Sequence, residues 1–113
     1  PKKIKDFLKK YWFTIDIFSF IVENQKVINL ELYEVKGRNS YDPGFKKKFV
    51  KPEITQRSLE AYMLGKRMGF TVKFAEVNFL DYWDYYIFFK DFNPSDFIIR
   101  DGGNPRFAKV KDR

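Results

Sequence analysis

The sequence predicts an α/β chain of the α+β kind. A mixed central β-sheet with flanking helices, in the order helix, β-hairpin, helix, strands, is expected as one domain over residues 1–113. Three observations carry this expectation. Segments rich in β-branched and aromatic residues flank a stretch that opens with Pro and closes with Gly, the punctuation of a helix set between strands. Strand, helix and strand in succession form a β-α-β unit, for which a parallel right-handed crossover is favoured. With 44% hydrophobic residues, a chain of 113 can bury roughly 65% of the surface its unfolded form exposes, enough for one core.

Residues 1–10 set Ile4, Phe7 and Leu8 at i, i+3, i+4 among lysines, a basic helix with one apolar stripe. FTIDIFSFIV (13–22) and INLELYEVK (28–36) read as strands joined by the polar ENQK, a hairpin. Residues 37–51 carry turn formers and five positive charges against one acid, a loop. Pro52 and Glu53 open a helix that runs to Met68 and stops at Gly69, and its stripe Ser58, Ala61, Gly65, Met68 fits close packing on a sheet. FTVKFAEVNF (70–79) alternates as a third strand, 81–92 gives a fourth after a short turn, and 96–100 adds an edge strand. The tail from Asp101 is turn-rich and basic, and is expected to be irregular.

The chain has no histidine and no cysteine, which removes zinc fingers, thiol nucleophiles, disulfide scaffolds, Ser-His-Asp triads and histidine-base nucleases. Carboxylates, Lys, Tyr, Ser and oxygen-ligated hard metal ions remain. No apolar run reaches the ~18 residues that span a bilayer, so no membrane partner is expected. Pro-Lys-Lys at the start is followed by no apolar signal stretch, which gives the expectation of an intracellular, cytoplasmic protein. The Lys-rich, Gln-poor composition fits a thermophilic source, or a virus or plasmid of one. A net charge of +7 points to a polyanionic partner, with a solvated lysine-rich surface as the alternative.

The hairpin holds the candidate chemistry. At period two, Glu34 and Lys36 share a face with Ile28, Leu30 and Leu32, and Asp16 shares one with Phe18, Phe20 and Val22. Pairing Phe18 with Leu32, Phe20 with Leu30 and Val22 with Ile28 sets Asp16 opposite Glu34, Cβ atoms ~5 Å apart. Two opposed carboxylates need a cation between them, either Lys36 or a metal ion, and oxygen ligands at this spacing suit Mg²⁺, with Mn²⁺ as a substitute. Chance alone predicts ~2 acid-x-Lys triplets in this composition, and Glu34-Val35-Lys36 is the single one present. Its weight therefore comes from the strand context, against the alternative of a surface charge cluster at a frayed hairpin end.

With Ile15-Asp16-Ile17 followed by Glu34-Val35-Lys36-Gly37 and then a helix and a strand, residues 13–79 resemble the PD-(D/E)XK nuclease superfamily, with its restriction-endonuclease-like core. The resemblance implies Asp16 and Glu34 as metal ligands, Val35 through its carbonyl, and Lys36 as the group that orients or helps deprotonate the attacking water. It also implies a catalytic part for Gln56, early in the second helix. Ile15 replaces the usual Pro, and Asp6 is the candidate for the acid that many members carry on the first helix. Implied activity is Mg²⁺-dependent endonucleolytic hydrolysis of DNA, with structure-specific or junction cleavage as one subtype.

Arg38, Lys46, Lys47, Lys48 and Lys51 in the loop and Arg57 on the helix are the expected DNA contacts, while Asp81, Asp84, Asp91, Asp96 and Asp101 make the C-terminal third acidic. The run Tyr82, Trp83, Tyr85, Tyr86, Phe88, Phe89 is apolar on both strand faces, which fits a buried strand or a homodimer contact. Alternatively it is a base-stacking platform, and the chain a non-catalytic nucleic-acid-binding module. An interaction domain for a protein partner is the third reading.

Overall fold

The computed structural model describes residues 1–39, 51–81 and 83–101. Helix α1 (Lys2–Tyr11) turns Ile4 and Phe7 into the core and leaves its lysines in water, with Lys9 and Lys10 in the last turn opposing the helix dipole. A 3₁₀ turn over Trp12–Thr14 follows, so residues 13–16 are not strand, and β1 begins only at Ile17 (Ile17–Glu23). Asn24 and Gln25, both at positive φ, make the tight turn into β2 (Lys26–Asn39). The hairpin is as expected, with Phe18 opposite Leu32 and Phe20 opposite Leu30. A bulge between Ile21 and Val22 then pairs Val22 with Val27 instead of Ile28.

The Pro52-Glu53 start is also corrected. Residues Glu53–Thr55 form the short strand β3, and helix α2 (Gln56–Arg67) starts where the Thr55 hydroxyl accepts the Ser58 N–H, 3.1 Å. It ends at Gly69, whose φ of +86° suits a residue without Cβ. Strand β4 (Thr71–Phe79) lies parallel to β2, completing the β-α-β unit, and β5 (Tyr85–Asp91) returns antiparallel to β4. The main sheet has the order β1-β2-β4-β5. Strand β6 (Ile98–Arg100) pairs parallel with β3 in a separate two-stranded sheet rather than at the main sheet's edge. Among the described residues the fold is thus α+β with a mixed central sheet and two α-helices.

Among the described residues, both helices pack on one face of the main sheet. The core joins Leu30, Leu32, Val72 and Phe74 from that face to Ile4, Phe7, Ala61 and Tyr62 from the helices. Gly65 is what lets α2 come so close, since a Cβ there would stand 2.7 Å from the buried Leu32 Cδ1. Phe18, Phe20 and Val22 were expected on this same core face. They do project from it, but they lie on the edge strand, where α1 meets Phe20 only across an open groove lined by Ile4 and Leu8, and all three stay exposed, as does Ile28. No described helix is long and apolar enough to cross a membrane. The basic run Lys46, Lys47, Lys48, the aromatic Tyr82 and most of the tail lie outside the described residues.

Candidate active site

Strand alternation carries Leu30 and Leu32 into the core and then delivers Glu34, Lys36 and Arg38 along the same face, toward the carboxyl end of β2. That end of the parallel pair β2/β4 is where open α/β sheets leave room for ligands. Glu34 is 4% exposed, among the most buried polar groups described. Its Oε1 lies 3.4 Å from the Lys36 ammonium, and its Oε2 is buried without a hydrogen-bond partner. Burial first, and the neighbouring Asp16 carboxylate second, push the Glu34 carboxyl up to about 7, with Lys36 pulling only partly the other way.

Asp16 precedes β1 instead of lying within it, yet its position matches the expected juxtaposition. Its Oδ2 accepts the Val35 N–H at 2.8 Å, so the side chain occupies the place on β2 that a continued β1 would have paired. In a strand, one residue's N–H and C=O point to the same side, so the Val35 carbonyl is directed toward the Asp16 side as well. Tyr62, fully buried on α2, closes the arrangement: its hydroxyl accepts the Asp16 N–H at 3.3 Å and donates to the Tyr33 carbonyl at 2.9 Å. Burial and the Glu34 carboxylate hold the Tyr62 phenol well above its ordinary range, so it stays a donor. Asp16, Glu34, Val35 and Lys36 are therefore brought together.

Other expected site residues stand apart. Gln56 is exposed on the first turn of α2, its amide donating to Glu60 at 3.4 Å. Arg57 lays its guanidinium over the Phe13 ring, 4.2 Å to the centroid, and Lys51 donates to the Ser95 carbonyl at 2.8 Å. Asp6 points outward from α1. Arg38 does lie beside the cluster, its Nε 3.0 Å from Glu76, which also draws Lys90 to 3.7 Å. Glu76 and Tyr62 were not anticipated. The signal for Glu76 was available, because Val72, Phe74 and Glu76 alternate onto the core face just as Leu30, Leu32 and Glu34 do. For Tyr62 no local pattern separates a core tyrosine from one that clasps a site.

Two carboxylates and a backbone carbonyl are the oxygen donors gathered here, and no group of three or more acidic side chains converges among the described residues. Such a donor set suits a hard ion that keeps several waters, and the orphaned Glu34 oxygen is the kind of buried atom such an ion would satisfy. Comparison with protein-family models, with curated proteins and with solved structures finds no match for this chain.

Proposed function

We propose that this chain is a metal-dependent endonuclease of the PD-(D/E)XK kind that hydrolyses DNA phosphodiester bonds at Asp16, Glu34 and Lys36. The observation that carries the reading is Glu34: a carboxylate buried on the core face, beside a second carboxylate, with one oxygen unpartnered. Burial of that kind opposes folding unless a cation relieves it. Asp16, Glu34 and the Val35 carbonyl would hold Mg²⁺ or Mn²⁺, which when bound supplies Lewis-acid stabilisation of phosphoryl oxygens and a more acidic water.

The protein's own groups do the rest. Lys36, a third exposed and 3.4 Å from Glu34, has its ammonium where it orients the attacking water and faces the charge that grows on the phosphoryl oxygens. Tyr62 fixes the backbone at Asp16 to that at Tyr33, so both acids are held by the fold instead of by each other. Arg38 and Lys90, drawn together by Glu76, set positive charge beside the cluster for the flanking backbone phosphates.

The test is cleavage of supercoiled, linear and branched DNA with Mg²⁺ or Mn²⁺. Glu34→Ala and Asp16→Asn are each expected to lower the rate by about a thousandfold or more, a loss on the order of 4 kcal/mol of transition-state stabilisation. Cleavage by Glu34→Ala at the wild-type rate sinks the assignment. One observation favours a second reading, nucleic-acid binding without catalysis: Trp83 is 89% exposed, free to stack on a base. That reading requires metal-independent binding of single strands that falls in Trp83→Ala.

A further inference from the structure

We propose that the face of the main sheet left uncovered among the described residues is the contact surface for a second copy of this chain, packed sheet on sheet. The strand registers put Ile17, Tyr33, Val35, Val77, Ile87 and Phe89 on this face, opposite to the helices and to the acid cluster. Ile87 and Phe89 keep 43% and 62% of their surface in contact with solvent. The rings of Phe89 and Tyr33 meet across the strands at 5.8 Å, which makes one continuous apolar surface of them.

Its charges identify the partner. Lys73 and Asp91, in the same cross-strand row as Tyr33, are paired with each other at 2.8 Å, and Glu31 accepts from the Ser19 hydroxyl at 3.0 Å, so each of these charged groups already has a partner within the protomer. The cations grouped near the candidate site, Lys36, Arg38 and Lys90, project from the opposite face, so a polyanion is drawn there and not here. What fits this surface is another pleated, mainly apolar face whose few charges are already partnered, and the chain supplies one in its own second copy. A two-fold contact uses the same patch on both partners.

The area agrees. Four strands ~4.8 Å apart, each about seven residues long at ~3.3 Å per residue, make a face of roughly 450 Å² in plan, and its pleated side chains raise the accessible area toward the ~800 Å² per partner of a standard stable interface. Sheets packed this way lie ~10 Å apart with aligned strands, so each copy's acid cluster stays on the outside of the pair. The proposal does not rest on the nuclease reading, because the Asp16, Glu34 and Lys36 side chains belong to the other side of the sheet and Val35 enters that site only through its backbone.

Sedimentation of the full chain up to about 100 μM tests it. The wild type is expected at twice its 13.7 kDa chain mass. The double variant Ile87→Lys with Phe89→Lys buries two charges at the contact, so association should weaken by at least about 100-fold. Phe88→Lys, on the opposite face of the same strand, should leave the pair intact. A wild type of single-chain mass at that concentration overturns the proposal and makes a different partner the occupant, as does a pair that survives the double variant and falls to Phe88→Lys. Because the chain has no cysteine, Ile87→Cys and Phe88→Cys each add a lone thiol and keep the question open to a second measurement should the lysines prevent folding. A bismaleimide with a spacer of about 10 Å, the separation of stacked sheets, should join two copies of the Ile87→Cys chain and not of the Phe88→Cys chain. Equal or reversed cross-linking overturns the proposal.

Discussion

On β2 the side chains that face the helices, Leu30, Leu32 and Glu34, are almost completely buried, whereas Tyr33 and Val35 on the other face keep part of their surface in water. The same strands thus build two surfaces of opposite character. Helices cover one of them, which is finished as a core and carries a charged cluster at its end. The other is apolar from Ala75 to Phe79 on β4 and from Tyr85 to Phe89 on β5, with the Lys73–Asp91 ion pair beyond, and among the described residues it has no helix upon it. A carboxylate placed on the finished side is costly to the fold. An apolar ring left on the unfinished side is costly only to solubility. The contrast separates residues that hold the chain together from residues retained for what they contact.

The largest expected effect breaks the covered side. Phe74 is buried at the centre of that face, with the Phe97 ring at 4.8 Å and the Lys90 ammonium 5.2 Å above it. Phe74→Ala removes the ring from a close-packed site that cannot collapse around it, and should lower unfolding stability by about 3–5 kcal/mol in guanidinium titrations. A loss below about 1 kcal/mol would show that this face is less finished than described.

A somewhat smaller effect concerns Glu34, where the sign runs against the usual acid behaviour. Its carboxyl ionises near 4.5 in the unfolded chain and at about 7 in the fold, because burial and Asp16 oppose the charge. Below pH 4.5 both states hold the proton and the group contributes nothing. Between 4.5 and 7 the unfolded chain releases it while the folded chain keeps it, so stability falls as pH rises, by on the order of 3 kcal/mol once pH exceeds 7. Without divalent ions, Glu34→Gln should match the wild type near pH 4.5 and exceed it by roughly 2–3 kcal/mol at pH 8. Thermal or denaturant unfolding across that range is the measurement. Superimposed curves for the two proteins would remove the strain on which the contrast between the faces depends.

Much of this was legible in the sequence, and the exceptions have physical causes. Alternation placed Glu34 and Lys36 with Leu30 and Leu32, because period two is fixed by the pleat and needs no tertiary information. The register near the turn was misread, since a bulge adds a residue to one strand without leaving a mark in the hydrophobic pattern. Pro52 and Glu53 looked like a helix start because Pro suits a first turn, yet the capping side chain is Thr55, and the residues before it pair with Ile98 and Ile99, some 45 positions away. Asp16 reached its place beside Val35 by a side-chain hydrogen bond where strand pairing had been expected. What composition could not indicate was which apolar face would be covered. Phe18, Phe20, Phe74 and Phe89 are the same residue type, and only the path of the helices over the sheet decides which of them is buried.

The smallest expected effect is the counterpart of the first. Phe89 projects from the uncovered face of β5, two strand positions from Ile87 and across from Ala75 on β4. In a single chain its replacement by Ser opens no cavity, because more than half of the ring already meets water, so Phe89→Ser should shift monomer stability by no more than about 0.5 kcal/mol. Concentration then distinguishes the two proteins. If the face joins two copies, the wild-type unfolding midpoint rises with protein concentration by mass action, while that of Phe89→Ser stays nearly flat. Denaturant titrations at about 1 and about 50 μM make the comparison, and at the lower concentration the two midpoints should converge. A loss in Phe89→Ser as large as in Phe74→Ala, at every concentration, would mean that this ring is core within one protomer and that the two faces are more alike than their exposure indicates.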